Sequence, residues 1–229
     1  MDSSKMEPDG PSGRKLEIKH GEWLSEAWAL LLEDLGDFLQ VGLICWLISV
    51  VAILPCGIPF LVIGGPLTVG LIYYCQKKNQ RKPTETNDLF FGFKHHFADA
   101  LIIFAPVVLA GITASAMIFF MLNFMPFLGT GAATAVGVAL SGIGLIVTQF
   151  ALMILLEGQH DGIGCLKKTI EIIQEEPVQL LIYGFIGGLI YTAGVMVLSV
   201  GTIITMPLAT LMMVIAYREV TEQLADNDA

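Results

Sequence analysis

The side chains best suited to chemistry stand in two short clusters. His95 and His96 precede Asp99, and Glu157, Gln159, His160 and Asp161 occupy one brief polar stretch. Imidazole and carboxylate groups are the donors of zinc sites and of general acid–base pairs. Adjacent histidines on a helix point about 100° apart and cannot easily chelate one ion, whereas His95 and Asp99 are spaced to share a face. Two ligands leave a metal site incomplete, so the expected role of that pair is an interfacial hydrogen bond. In the second cluster Mg or Zn binding is conceivable, and helix capping and solvation account for the same residues more simply. Cys45, Cys56, Cys75 and Cys165 lie far apart, without a CxxC pair and mostly in or beside apolar runs. They are expected to behave as small hydrophobes, neither disulfide-bonded nor metal-bound. No nucleophile stands at workable spacing from a base, and no phosphate loop is present. The expectation is no catalytic residue, no cofactor and no metal.

The elements that must carry these residues are membrane helices. Of 229 residues, 55% are hydrophobic and only 14% charged, with mean hydropathy +0.72, against roughly 25% charged in soluble domains. The charges fall in a few blocks, which leaves long uncharged runs able to cross a bilayer. A net charge of -9 and a pI near 4.8 exclude a nucleic-acid binder, which needs clustered Lys and Arg. At ~20 residues per crossing, the runs predict six spans at 38–54, 58–75, 100–122, 132–156, 178–198 and 201–217. Trp46, Tyr73, Tyr74 and Tyr217 are placed to set the depth of the shorter ones. Residues 1–20, polar and without an apolar core, read as a disordered cytoplasmic tail rather than a signal or transit peptide. Residues 21–220 form the membrane domain, and 221–229 an acidic cytoplasmic tail.

The connections after the first, third and fifth spans carry no charge and read as tight hairpins. Every Lys and Arg falls in the N-terminal tail, between spans two and three, between spans four and five, or just after span six. All therefore lie on one side, and the positive-inside rule places both termini in the cytoplasm. Lys77, Lys78, Arg81 and Lys82 are the strongest basic patch. They are expected to fix topology, with contact to anionic headgroups as the functional alternative.

Each hairpin follows a short amphipathic segment, which suggests one unit used three times. In the first, Leu24, Ala27, Trp28, Leu31, Leu35 and Phe38 fall at helical spacing, with Glu22, Glu26, Glu33 and Asp37 on another stripe. That acidic face would be repelled by anionic headgroups, so packing on the bundle is expected. In the second, Phe90, Phe93, Phe97 and Leu101 form the stripe, and Asn87 or Asp88 can cap the helix start. The third uses Ile163, Leu166, Ile170 and Ile173, with Lys167 and Glu171 as an i,i+4 pair and Asp161 as the cap. Pro66 and Pro207 occupy matching places in the first and third units. They read as packing kinks, with a shared hinge as the alternative.

Small residues recur on single faces: Gly111 and Ser115 in span three, Ala133, Gly137 and Ser141 in span four, Gly184 and Gly188 with Thr192 in span five. Such stripes allow close helix approach, within the chain or to a partner. Thr148, Gln149 and Thr192 are expected to hydrogen-bond across helix interfaces, with a solute path as the alternative. Glu157, at the charged end of span four, reads as an interfacial anchor.

The run Gly64-Gly65-Pro66-Leu67-Thr68-Val69-Gly70, the basic stretch after it and Asp88-Leu89-Phe90-Phe91-Gly92-Phe93 resemble a bacterial family of uncharacterised six-helix membrane proteins. They are also similar to the membrane domain fused to some glycerophosphodiester phosphodiesterases. The resemblance extends over most of residues 23–220 and implies no hydrolase activity, because no soluble phosphodiesterase domain is present. The expected fold is all-α, six transmembrane helices in three hairpins, each preceded by a cytoplasmic amphipathic helix, in a bacterial inner membrane. The expected function is that of a non-catalytic accessory or scaffold subunit acting through helix–helix association. Its expected partners are membrane lipid and other membrane subunits or a second copy. The alternative is a carrier or lipid-handling protein for an uncharged or amphipathic ligand.

Overall fold

A computed structural model describes residues 20–53, 58–124, 144, 146–158, 160–175, 186, 189–190 and 200–227. Among them the elements are α1 (His20–Glu33), α2 (Leu35–Ile53), α3 (Ile58–Asn79), a 3-10 turn (Thr86–Phe90), α4 (Phe91–His95) and α5 (Phe97–Phe124). Then come α6 (Ile146–Leu156), α7 (Gly162–Glu175) and α8 (Thr202–Asn227). Three windows are long and apolar enough to cross a membrane: Leu35–Ala52, Pro59–Asn79 and Thr202–Glu222. The bent pair Thr86–His95 and Phe97–Thr113 makes up to four. The first, second and sixth expected spans thus coincide with α2, α3 and α8. The third falls within α5, the fourth is described only over its last turns, and almost all of the fifth lies outside the described residues.

The central element is α3, which packs against α2, the 3-10 turn, α4, α5 and α8. Leu67, Val69, Leu71, Ile72, Tyr74 and Cys75 are buried around its whole circumference, as expected of a helix that is apolar on every side. Pro66 and Pro207 lie inside α3 and α8, and a third proline, Pro106, lies inside α5.

The amphipathic segments differ from their sequence patterns in informative ways. The single stripe expected on α1 divides in two: Trp23, Ala27, Leu31 and Phe38 are buried, while Leu24, Trp28, Leu32 and Leu35 are exposed. The buried set packs along α8, where the Trp23 indole Nε1–H donates to the Glu219 carboxylate. In α7 the buried face is Cys165, Thr169 and Ile172, with Leu166 and Ile173 at its edge and Ile163 and Ile170 exposed. Packing against α5 turns the helix so that only half of the expected stripe meets the core. Asp161 Oδ1 accepts the Gly164 N–H at 3.1 Å, as a cap should. The ion pair on this helix joins Lys168 to Glu171 at 3.6 Å.

The second segment departs furthest. Its first turn is 3-10 rather than α, and Glu85 rather than Asn87 or Asp88 is the cap residue. Asp88 instead reaches back to accept the Glu85 N–H at 2.9 Å. The helix then breaks at His96, where φ is -132°, and the two parts bend by more than 40°. His95 and Asp99 therefore stand on different helices and cannot share a face.

Candidate functional site

The two sequence motifs on either side of the basic stretch meet in one contact. Gly70 lies directly under the Leu89 carbonyl and Gly92 under the Pro66 carbonyl, so close that a methyl group at either would overlap the oxygen. A Cβ at Gly65 would stand 2.6 Å from the Ala100 carbonyl oxygen, and one at Gly64 would stand 2.9 Å from the Phe104 ring. At Gly65, Gly70 and Gly92 glycine is required because backbone approaches backbone. The contact seats residues 86–100 across the middle of α3. Above it, Tyr73 stacks on Phe91 with centroids 4.0 Å apart, and Phe91 stacks on His95 at 4.5 Å.

At the end of α3 the same seat continues as a charged collar. Lys77 Nζ donates to Asp88 Oδ2 at 2.7 Å and lies over the Tyr73 ring. Lys78 Nζ reaches both Asp34 Oδ2 and Asp37 Oδ2 at 2.7 Å and lies over the Phe38 ring. Arg81 pairs with Glu33 at 3.3 Å. The pairs differ in kind: the Lys78 side chain is 11% exposed, that of Arg81 74%. Charge-assisted bonds to a nearly covered ammonium are stronger than those of a surface pair. Arg81 also closes the helix. Its N–H donates to the Lys78 carbonyl at 2.9 Å and the Lys82 N–H to the Lys77 carbonyl at 2.9 Å, the paired bonds of a helix end that calls for a left-handed residue. Arg81 supplies that conformation at φ 53°, where glycine is the usual choice. Between α1, α2 and this corner lies a cavity of about 330 Å³ walled by Glu33, Asp34, Asp37, Lys78, Arg81 and Lys82.

The other candidate residues are drawn into structural bonds. Glu157 accepts the Tyr217 hydroxyl at 2.8 Å, which ties the end of α6 to α8. Asp99 Oδ1 accepts the Gly162 N–H at 2.9 Å, and His95 Nδ1 stands 3.3 Å from the Phe91 carbonyl. Among the described residues no group of three His, Cys, Asp or Glu is placed to hold a metal ion. Thr148 donates to the Ile103 carbonyl at 3.4 Å, an inter-helix bond, while the Gln149 Oε1 and Trp46 Nε1 atoms are buried with no partner among the described residues. Gly111 lines an apolar groove of about 460 Å³ between α3 and α5 with Phe60, Leu61, Phe104, Val107, Val108 and Ile112. Ser115 is also on α5, while Cys56, Ala133, Gly137, Ser141, Gln159, Gly184, Gly188 and Thr192 lie outside the described residues.

Burial pushes the Cys165 thiol up to about 11, with the carboxylates of Asp99 and Asp161 adding to the shift. An ordinary cysteine titrates near 8.5. Because the thiolate is the nucleophile and Cys165 is fully buried, its alkylation by iodoacetamide at neutral pH is expected to run at least about a hundredfold slower than that of a free thiol. The rate should rise with pH only as far as burial lets the reagent reach the sulfur. Mass-spectrometric counting of modified peptides checks it.

Sequence reasoning singled out the glycines of the α3 seat only within the motifs of a resemblance, without their packing role, and missed the collar partner Asp34. The signal for the collar was present: equal distances along the chain from Cys56 put Asp34 opposite Lys78 and Phe38 opposite Tyr74. These are the pairs found in contact. Compared with family models, with curated proteins and with solved structures, the chain matches none.

Proposed function

We propose that the chain is a six-span bacterial inner-membrane protein with both termini cytoplasmic, acting without catalysis as an accessory or scaffold subunit through helix–helix association. The observation that carries this reading is the use made of the ionisable groups at the charged end. Lys77, Lys78, Arg81, Glu157 and Asp99 each bind another segment of the chain, so their chemistry goes into holding helices in place. What such a protein offers to its surroundings is helix surface, and small-residue faces are the usual means of association in a bilayer.

Native mass spectrometry after gentle extraction tests the reading. A defined partner at fixed stoichiometry is the expected result, lost or depleted when Gly184 or Gly188 is replaced by leucine. Unaltered assembly in both variants counts against it. A second reading, a carrier for an uncharged or amphipathic ligand, is favoured by the apolar groove between α3 and α5, with Pro66 and Pro207 as flexing points. A lone chain or homo-oligomer that reproducibly retains one lipid would select that reading.

A further inference from the structure

The collar also forms the walls of a cavity. On its α1–α2 side stand Glu33, Asp34 and Asp37, and on the side of α3 and the turn after it stand Lys78, Arg81 and Lys82. One wall is acidic and the other basic. The ion pairs between them use only part of each. Asp34 and Asp37 engage Lys78 through Oδ2, and Glu33 engages Arg81 through Oε1, which leaves the second oxygen of each carboxylate able to accept. Arg81 donates through Nη1 at 3.3 Å with its side chain 74% exposed, so the rest of its planar fork is uncommitted. Lys82 makes no ion pair among the described residues.

Three carboxylates against three cations give the cavity no net charge, so it favours neither a simple anion nor a simple cation. It suits a dipolar ligand, whose ammonium meets the acidic wall and whose anion meets the basic one. The volume of about 330 Å³ is at the lower end of small-molecule sites, roughly 300–1,000 Å³, and has room for a lipid headgroup. The place fits as well. The apolar window Pro59–Asn79 of α3 is long enough to cross a bilayer and ends at this corner, and basic residues closing such a run stand at headgroup level.

We propose that this cavity binds a phosphoethanolamine zwitterion, with the phosphate held by Arg81 and Lys82 and the ammonium by Glu33, Asp34 and Asp37. Guanidinium matches phosphate oxygens bidentately, and a primary ammonium brings three N–H donors to carboxylates that have acceptors to offer. The same group is carried by phosphatidylethanolamine and by soluble O-phosphoethanolamine. The site goes beyond the subunit reading and does not depend on it.

The test is native mass spectrometry of the full-length protein in detergent with phosphatidylethanolamine, phosphatidylcholine or phosphatidylglycerol of matched chains added. Phosphatidylethanolamine is expected to bind about tenfold more tightly than either of the others, the worth of one charge-assisted bond. Choline has no N–H for the carboxylates, and glycerol has no positive charge. Lys82→Ala and Glu33→Gln should each remove the preference, and both side chains are exposed, so neither change should disturb the packing. O-phosphoethanolamine in millimolar excess separates the sources. Displacement of the lipid would show that the cavity takes the soluble zwitterion as well, and a preference that persists would assign it to the headgroup. Equal binding of the three lipids by the parent, or a preference unchanged in both variants, would overturn the proposal. Retention that survives both variants but falls with Val108→Trp would place the lipid in the groove between α3 and α5, and would also overturn it. Loss of a protein partner with the Gly184 or Gly188 variants reports on the subunit reading alone.

Discussion

Gly70→Ala is expected to destabilise the protein by about 3 kcal/mol, the upper end for forcing extra volume into a packed core. The added methyl would overlap the Leu89 carbonyl. Both partners are backbone, on a buried helix and on the turn that crosses it, so neither can swing aside as a flexible side chain would. The seat of residues 86–100 on α3 must open, which also loosens the Tyr73–Phe91 stack and the Lys77–Asp88 pair. Gly36→Ala is the internal control, because nothing lies within 4 Å of a Cβ there. In a helix that change should be neutral or stabilising by roughly 0.5–1 kcal/mol. Denaturant titration in mixed micelles, followed by circular dichroism, measures both. Equal midpoints for Gly70→Ala and the parent would show that the turn does not sit on α3 as described.

Lys78→Met is expected to cost about 2 kcal/mol. Removing one partner of a fully buried pair costs 3–5 kcal/mol because it strands the other charge. Here Asp34 and Asp37 are about half exposed, so water recovers part of that. Two neighbouring carboxylates lose their shared ammonium and are left facing each other. Arg81 gives the contrast at the same corner. Its pair with Glu33 is exposed and worth at most about 1 kcal/mol, while its left-handed backbone favours glycine. Arg81→Gly should therefore fall within about 1 kcal/mol of the parent, with the midpoint of the same titration as the readout. A loss as large as that of Lys78→Met would mean that the guanidinium holds more than the surface pair.

The alanine of that first comparison also bears on how the two motifs around the basic stretch are to be understood. Each motif supplies a glycine that the backbone of the other approaches: Gly70 answers Leu89, and Gly92 answers Pro66. The two motifs together are the seat of a turn on a helix.

Local physics made much of this protein legible from its residues. Hydropathy over about 20 positions is a sum that needs no neighbours, and it located α2, α3 and α5 to within a few residues and the start of α8, whose helix runs on past Tyr217 to Asn227. Asp161 was legible as a cap for the same reason, since its partner is the Gly164 N–H three residues on. Periodicity also marked α1 and α7 as amphipathic. It could not say which part of a wide apolar arc would be covered, because that depends on where α8 and α5 lie. Leu24 and Trp28 look the same as Ala27 and Leu31 on a helical wheel, and only packing separates them. The break at His96 escaped for a related reason. Residues 86–100 follow the path that places Leu89 over Gly70 and Ala100 over Gly65, which one continuous helix would not take. The fate of the charges was tertiary as well. The sequence alone determined that Lys77, Lys78 and Arg81 gather at one end of a membrane helix. Only the folded chain decided that they meet Asp88, Asp34, Asp37 and Glu33, because ion pairing between distant segments depends on which helices lie side by side.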